Sequence, residues 1–105
     1  MIFQVEISEQ AENDLRQIYE YIAFELLAPE NAEDQLNRLE KRIIGLSEMP
    51  KRFRLYEREP RRSRGLRVLP VDNYVEFYIP DEDKKIVMIT RVMYAGRDIA
   101  NELNN

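Results

Sequence analysis

The sequence predicts an α+β fold: an N-terminal strand, an antiparallel two-helix hairpin packed on a mainly antiparallel sheet of about four strands, and a short C-terminal helix. Three observations carry that expectation. Two amphipathic helical stripes in the first half of the chain meet at a proline. Three short β-type runs follow in the second half. A further run of the same kind opens the chain.

Residues 2–7, IFQVEI, alternate Phe3, Val5 and Ile7 with Gln4 and Glu6, the period of a half-buried strand. Ser8 suits a helix N-cap, and Glu9 and Glu12 meet the positive end of the helix dipole. Ala11, Leu15, Ile18, Ile22 and Leu26 recur at helical spacing, which predicts one apolar face on a helix running to about Leu27. Pro29 disfavours helical geometry at Ala28 and is itself well placed to open a second helix. The stripe of that helix is Ala32, Leu36, Leu39, Ile43 and Leu46, and it should stop before Pro50, with Gly45 weakening its last turns. So short a connection makes the pair an antiparallel hairpin whose apolar faces need a partner surface.

The second half supplies that surface. Leu66–Val71 is apolar and β-branched, and Pro70 argues for an edge or a bulge. Asp72-Asn73 reads as a turn. In Tyr74–Ile79, Val75, Phe77 and Ile79 share one face, while Tyr74, Glu76 and Tyr78 share the other. The second face is expected to lie opposite the hairpin, open to a partner or substrate. PDEDKK makes a polar loop, Ile86–Met93 is the third strand of the run, and Gly96 breaks the chain before a short helix over Arg97–Leu103. The expectation is one domain spanning residues 1–105.

Cysteine and histidine are both absent. Their absence removes the usual zinc ligands, the Cys–His and Ser–His pairs and a His general base. Arg, Lys, Tyr, Asp, Glu and Ser are left for any chemistry, and neither a metal nor a cofactor is expected. No apolar run approaches the roughly 18 residues that span a bilayer. The opening MIFQVEISEQ lacks a basic stretch followed by an apolar one, so no secretory signal is visible. These features point to a cytoplasmic protein with no membrane partner.

Charge is the most uneven property of the chain. It carries 16 Lys+Arg against 20 Asp+Glu, a net charge of −4. Residues 51–67, KRFRLYEREPRRSRGLR, hold eight of those basic residues and two acids, a local charge of +6 that leaves −10 on the rest. Arg54, Arg58, Arg61, Arg62 and Arg64, interleaved with Phe53 and Tyr56, form an anion- or partner-binding candidate. Guanidinium groups pair with phosphates and stack on bases, and the same charge suits an acidic protein segment. Charge alone leaves both open. Tyr74 and Tyr78 join the set from the sheet face expected to be open.

In RVMYAGRDI, residues 91–99, a strand ends at Tyr94, Ala95-Gly96 turns, and Arg97 opens a helix. Backbone N–H groups and positive charge there suit an anion. Tyr94, if beside Arg67 or Arg97, is a candidate proton-transfer group. The alternative is a plain helix-opening turn in which Arg97 pairs with Asp98 or Glu102. Asp81, Glu82 and Asp83 lack calcium-loop spacing and read as a solvated hairpin turn.

Taken in order, ISEQAENDLRQIYEYI, PENAEDQLNRLEKRIIGLSEMP, GLRVLPVDNYVEFYI and VMITRVMYAGRDI resemble the RelE/ParE superfamily of bacterial type II toxin–antitoxin toxins. The resemblance covers essentially the whole chain and implies the same strand–helix–helix–three-strand–helix order. It also implies a toxin of a plasmid-stabilisation module, held inactive by a cognate antitoxin that is acidic and partly disordered. A homodimer or a toxin–antitoxin heterotetramer is the implied assembly.

The superfamily divides into two activities. ParE-like members poison DNA gyrase and lack nuclease residues; RelE-like members cleave mRNA in the ribosome without metal, using clustered Lys, Arg and sometimes Tyr or His. The RelE pattern alternates basic residues along the strand corresponding to Leu66–Val71 and places Arg after the tyrosine matching Tyr74. Here those positions are Leu66, Val68 and Val75. Arg67, Tyr94 and Arg97 are the catalytic residues only if the protein is a nuclease, with Glu76 as the alternative proton acceptor. The ParE-like reading, gyrase inhibition, is therefore favoured. A RelE-like endoribonuclease acting on ribosome and mRNA, and a degenerate non-toxic binding module, are the alternatives.

Overall fold

In the computed structural model, which describes residues 2–103, Gln4–Ile7 form β1 and Ser8 caps the helix that follows. The Ser8 hydroxyl accepts from the Ala11 N–H at 3.0 Å and donates to the Thr90 carbonyl at 2.9 Å, so the cap also ties the helix to the sheet. Helix α1 spans Glu9–Glu20. Its regular geometry ends before the predicted Leu27, passing into a π-helical turn at Tyr21–Glu25. There the Leu26 N–H reaches back to the Tyr21 carbonyl at 3.1 Å. One extra residue in the turn rotates the stripe. Ile22 and Ala23 are buried, and Leu26, expected in the core, is exposed.

Helix α2 spans Pro29–Gly45, with the proline in its first turn as predicted. It buries Ala32, Leu39 and Ile43, and Leu36 packs against the same core. The remaining strands are β2 (Arg67–Val71), β3 (Tyr74–Asp81) and β4 (Ile86–Tyr94), and the sheet order is β1-β4-β3-β2. β1 runs parallel to β4, with Val5 opposite Val87 and Ile7 opposite Ile89; the other pairings are antiparallel. β2 is an edge strand, which accommodates Pro70. Helix α3, Ile99–Leu103, starts slightly later than the predicted Arg97.

The two sheet faces are reversed from the expectation. Tyr78, with Leu15, Leu39, Ile43 and Ile89, belongs to the core beneath the helices, and Tyr74 packs against it. Val75 and Phe77 face the other way, into a second core with Leu66, Val68, Met93 and Leu103. Neither face is open. Both faces of β3 are largely apolar or aromatic, so alternation alone could not choose between them. The choice turns on Tyr78, whose hydroxyl donates to the Pro50 carbonyl at 2.6 Å and is thereby satisfied in the interior. Its burial pushes the phenol pKa up to about 12. Register also shifts once: Phe77 opposes Arg91 and Tyr78 opposes Ile89, leaving Thr90 as a bulge. That extra residue lets Val87, Ile89 and Val92 all join the helix-side core.

Candidate functional site

The clearest site lies where the hairpin meets the Tyr74–Tyr94 end of the sheet. Asp72, in the β2–β3 turn with φ of 55°, accepts from the Gln35 amide at 2.9 Å and the Arg38 guanidinium at 2.8 Å. Those bonds fasten the turn to α2, and the Arg38 bond first, then Gln35, holds the Asp72 carboxyl below its usual pKa. The Ala95 N–H donates to the Asn73 carbonyl at 2.8 Å, joining that turn to the end of β4. Tyr74 and Tyr94 are opposite one another in the ladder and their rings meet edge to face at 5.9 Å. Gly96 lies against the Tyr94 ring: a Cβ there would stand 2.4 Å from a ring carbon.

Of these residues Gln35, Arg38, Asn73, Tyr74 and Tyr94, with Tyr21, Leu26 and Arg97, line an open cleft of about 910 Å³. Its inner wall carries Asp14, a buried carboxylate. β1 ends opposite Ile89, so the Val92 N–H has no strand partner; Asp14 accepts it at 2.9 Å. Asp14 also takes a bidentate bond from Arg91, at 2.8 and 3.1 Å. That pair is a satisfied structural element and offers the cleft no spare base. Desolvation first, then Tyr94 and Tyr21, raises the pKa of Tyr74, opposite to what a proton acceptor needs.

The structure separates the three sequence-predicted catalytic residues. Tyr94, 49% exposed, and Arg97 share the cleft. Arg67 pairs with Tyr78, while Tyr94 pairs with Tyr74, four residues along β3. At about 3.3 Å per residue that is roughly 13 Å of strand. The Arg67 guanidinium is also engaged, donating to the Phe53 carbonyl at 2.7 Å and the Lys51 carbonyl at 3.1 Å. Tyr78, expected to bind a partner, is 0% exposed. Glu76, the alternative proton acceptor, is also 0% exposed, and neither of its carboxylate oxygens has a hydrogen-bond partner among the described residues. Burial raises its pKa to about 8, against a smaller opposing pull from Arg42.

The basic segment folds over the sheet face opposite the helices. The Tyr56 N–H donates to the Leu66 carbonyl at 2.8 Å, and the Val68 N–H to the Arg54 carbonyl at 3.0 Å. Tyr56 meets Phe77 edge to face at 6.0 Å. Arg54, Arg58, Arg62 and Arg64 are exposed; Arg61 is half-buried and donates to the Leu103 carbonyl, holding α3 in place. The Asp81 carboxylate accepts from the Asp83 and Lys84 N–H groups at 3.0 and 3.1 Å, and Glu82 pairs with Lys51 at 2.8 Å, as a hairpin turn would.

Sequence reasoning missed Asp14, Gln35, Arg38 and Arg91. For Asp14 and Gln35 a signal existed: each adjoins the apolar stripe of its helix, where a polar group requires a partner.

The architecture is similar to several solved toxin structures. One is from the "Chromosomal ParDE TA system from P. aeruginosa", at TM-score 0.72 and 19% identity, covering 89% of this chain and 96% of that one. A second is from the toxin–antitoxin complex RelBE2 of Mycobacterium tuberculosis, at 0.66 and 21%, covering 90% and 99%. A mutant of the E. coli toxin RelE in the free state gives 0.65 and 15%, covering 97% and 93%. No curated protein matches the sequence significantly. The strand, helical hairpin, mixed sheet and terminal helix are thus the fold of these solved structures. Residues 5–99 match the family described as "ParE toxin of type II toxin-antitoxin system, parDE", and the chain belongs to that family.

Proposed function

We propose that this ParE-family toxin arrests growth by binding its target rather than by cutting RNA, and that the target is DNA gyrase. The observation that carries this reading is the dispersal of the nuclease candidates. Arg67 is committed to backbone carbonyls roughly 13 Å of strand away from Tyr94. Glu76 is sealed in the core. Tyr94 and Arg97 leave one phenol for proton removal and one guanidinium for the phosphate charge, a thin set for RNA cleavage. The similar M. tuberculosis structure is a toxin–antitoxin complex. By analogy, this toxin is neutralised by a cognate antitoxin, in a heterodimer or heterotetramer. The exposed Arg58, Arg62 and Arg64 suit an acidic antitoxin segment that orders on binding.

The test is inducible expression without antitoxin, with mRNA 5′-end mapping and plasmid supercoiling measured in the same cells. Intact transcripts with altered supercoiling are expected. Cleaved transcripts with normal supercoiling would replace this reading with the ribosome-dependent nuclease, and unimpaired growth would leave a binding module.

A further inference from the structure

A smaller pocket, of about 170 Å³, lies at the rim of the second core, walled by Leu66, Ile79 and Leu103. Three guanidinium groups reach it, from Arg61, Arg64 and Arg91, together with the amide of Gln10. No carboxylate of the described residues lines it.

The fold places each arginine. The Arg61 carbonyl accepts from the Arg64 N–H and from the Leu66 N–H, each at 3.1 Å, so the basic turn closes on itself and carries Arg61 and Arg64 to one pocket. Gly65 makes that reversal at φ 88°, a conformation costly for any side chain. Arg61 donates to the Leu103 carbonyl, which fixes its guanidinium against α3. Arg91 arrives from β4, oriented by its bidentate bond to Asp14, which takes two of the five N–H groups a guanidinium carries. Arg64 is exposed, and its side chain has no hydrogen-bond or ion-pair partner among the described residues.

Like charges converge on a small space only at a cost, and the neighbouring acids offset part of it. Asp14 neutralises Arg91, and Glu102 adds a smaller attraction on the same guanidinium. Glu9, beside Gln10, is exposed to solvent. Glu59 takes the Ser63 hydroxyl and Glu57 pairs with Arg54. With Asp14 set against Arg91, the lining keeps the charge of Arg61 and Arg64.

Size and geometry select the anion. The volume is below the roughly 300–1,000 Å³ of sites that enclose a drug-sized ligand, so one small group fits rather than a whole organic molecule. Guanidinium forks arriving from a turn and from a strand suit a tetrahedral anion with acceptors in several directions better than a planar carboxylate. The Thr90 hydroxyl already donates to the Phe77 carbonyl at 3.2 Å, which leaves the arginines and Gln10 as the donors.

We propose that this pocket is a phosphate site, in which Arg61, Arg64 and Arg91 hold a terminal phosphate group, supplied as inorganic phosphate or as the phosphorylated end of a nucleic-acid strand. None of Arg67, Tyr94 and Arg97 lines it, so the site is separate from the nuclease candidates.

The test is titration of sodium phosphate into the full 15N-labelled chain at constant ionic strength, with sodium acetate as control. Saturable shifts are expected at Gln10, residues 61–66, Thr90, Arg91 and Leu103, and weaker ones with acetate. Arg64→Gln should lower phosphate affinity about tenfold with the remaining amide spectrum unchanged, because Arg64 is exposed. Arg62→Gln removes the same charge from the same turn outside the pocket and should change affinity by less than about twofold. A short oligonucleotide with and without a 5′-phosphate separates the sources. Tighter binding of the phosphorylated strand than of inorganic phosphate, at the same residues, assigns the site to a strand end; equal or weaker binding assigns it to the free anion. Absence of saturation, equal response to acetate, shifts spread along the whole basic turn, or equal losses in the two variants would overturn the proposal. None of these outcomes depends on whether gyrase or mRNA is the toxin's target.

Discussion

Raising the pH from about 5 to about 8 should destabilise this protein, because Glu76 must keep its proton while it is buried. The side chain points beneath the helices from the centre of β3, between Leu69 on β2 and Val92 on β4, and neither carboxylate oxygen has a partner among the described residues. Its pKa is 4.5 when freely solvated and about 8 in the fold. Below that window both states hold the proton. Within it the unfolded chain releases a proton that the folded chain keeps, so each rise in pH favours unfolding. Above it both states are ionised and the full loss is in place.

At about 1.4 kcal/mol per pH unit the loss reaches about 5 kcal/mol over the window, a ceiling that relaxation around the ionised carboxylate lowers. Domains of this size have only ~5–15 kcal/mol in total, so the effect should be plain. Urea unfolding followed by far-ultraviolet circular dichroism at four pH values is the assay. With a urea slope of ~1–3 kcal/mol per molar, that ceiling corresponds to a fall in midpoint of roughly 2–5 M, and a shift of about 1 M or more is expected. Glu76→Gln cannot ionise and should abolish the slope, although its unpartnered amide costs ~1–3 kcal/mol at every pH. A wild-type midpoint that does not move, or a slope that survives in the Gln variant, would refute the reasoning. Asp72 and Glu82 have lowered pKa values, so their contributions disappear as pH falls, outside this window; both are exposed and contribute little.

Other substitutions test the packing. Asp14→Ala strands the Arg91 guanidinium and the Val92 N–H, and should cost about 3 kcal/mol, read as a lower urea midpoint at unchanged slope. Tyr78→Phe removes the bond to Pro50 and should cost about 1–2 kcal/mol by the same measurement. Ser8→Ala deletes the cap of α1 and should cost about 1 kcal/mol. Arg67→Ala releases the Lys51 and Phe53 carbonyls and should lower stability by about 1–3 kcal/mol. Under the proposed gyrase-binding function, supercoiling inhibition per folded molecule should survive that change; its loss from an intact fold would return Arg67 to the functional site.

The order and type of the elements were legible because each rests on local chemistry that tertiary packing did not override. The Ser8 cap, the Pro29 helix start, the α2 stripe and the edge position of Pro70 all follow from backbone rules at single residues. Which face of β3 met the helices was not legible. Tyr78 reads as polar by type, yet one hydroxyl bond to the Pro50 carbonyl lets the whole ring be buried. The basic segment was visible as charge but not as a lid, because its contribution to the second core comes from Tyr56 and Leu66 at its inner side.

The site residues that escaped prediction trace to places where the regular period stops. The π turn inserts one residue into a 3.6-residue repeat, and the bulge at Thr90 inserts one into a repeat of two. Neither changes composition, and each reassigns the side chains that follow. The first moves Leu26 from the expected core to the lip of the cleft. The second puts Val92 in the helix-side core just past the end of β1, where its N–H calls for Asp14. Arg67 failed for a related reason: its face was read correctly as opposite Leu66 and Val68, but its position along the strand was not. A strand pattern specifies which side a residue faces, whereas a catalytic set also requires that its members share one end of the sheet. The ladder Arg67–Tyr78 and Tyr74–Tyr94 denies that to Arg67 and Tyr94.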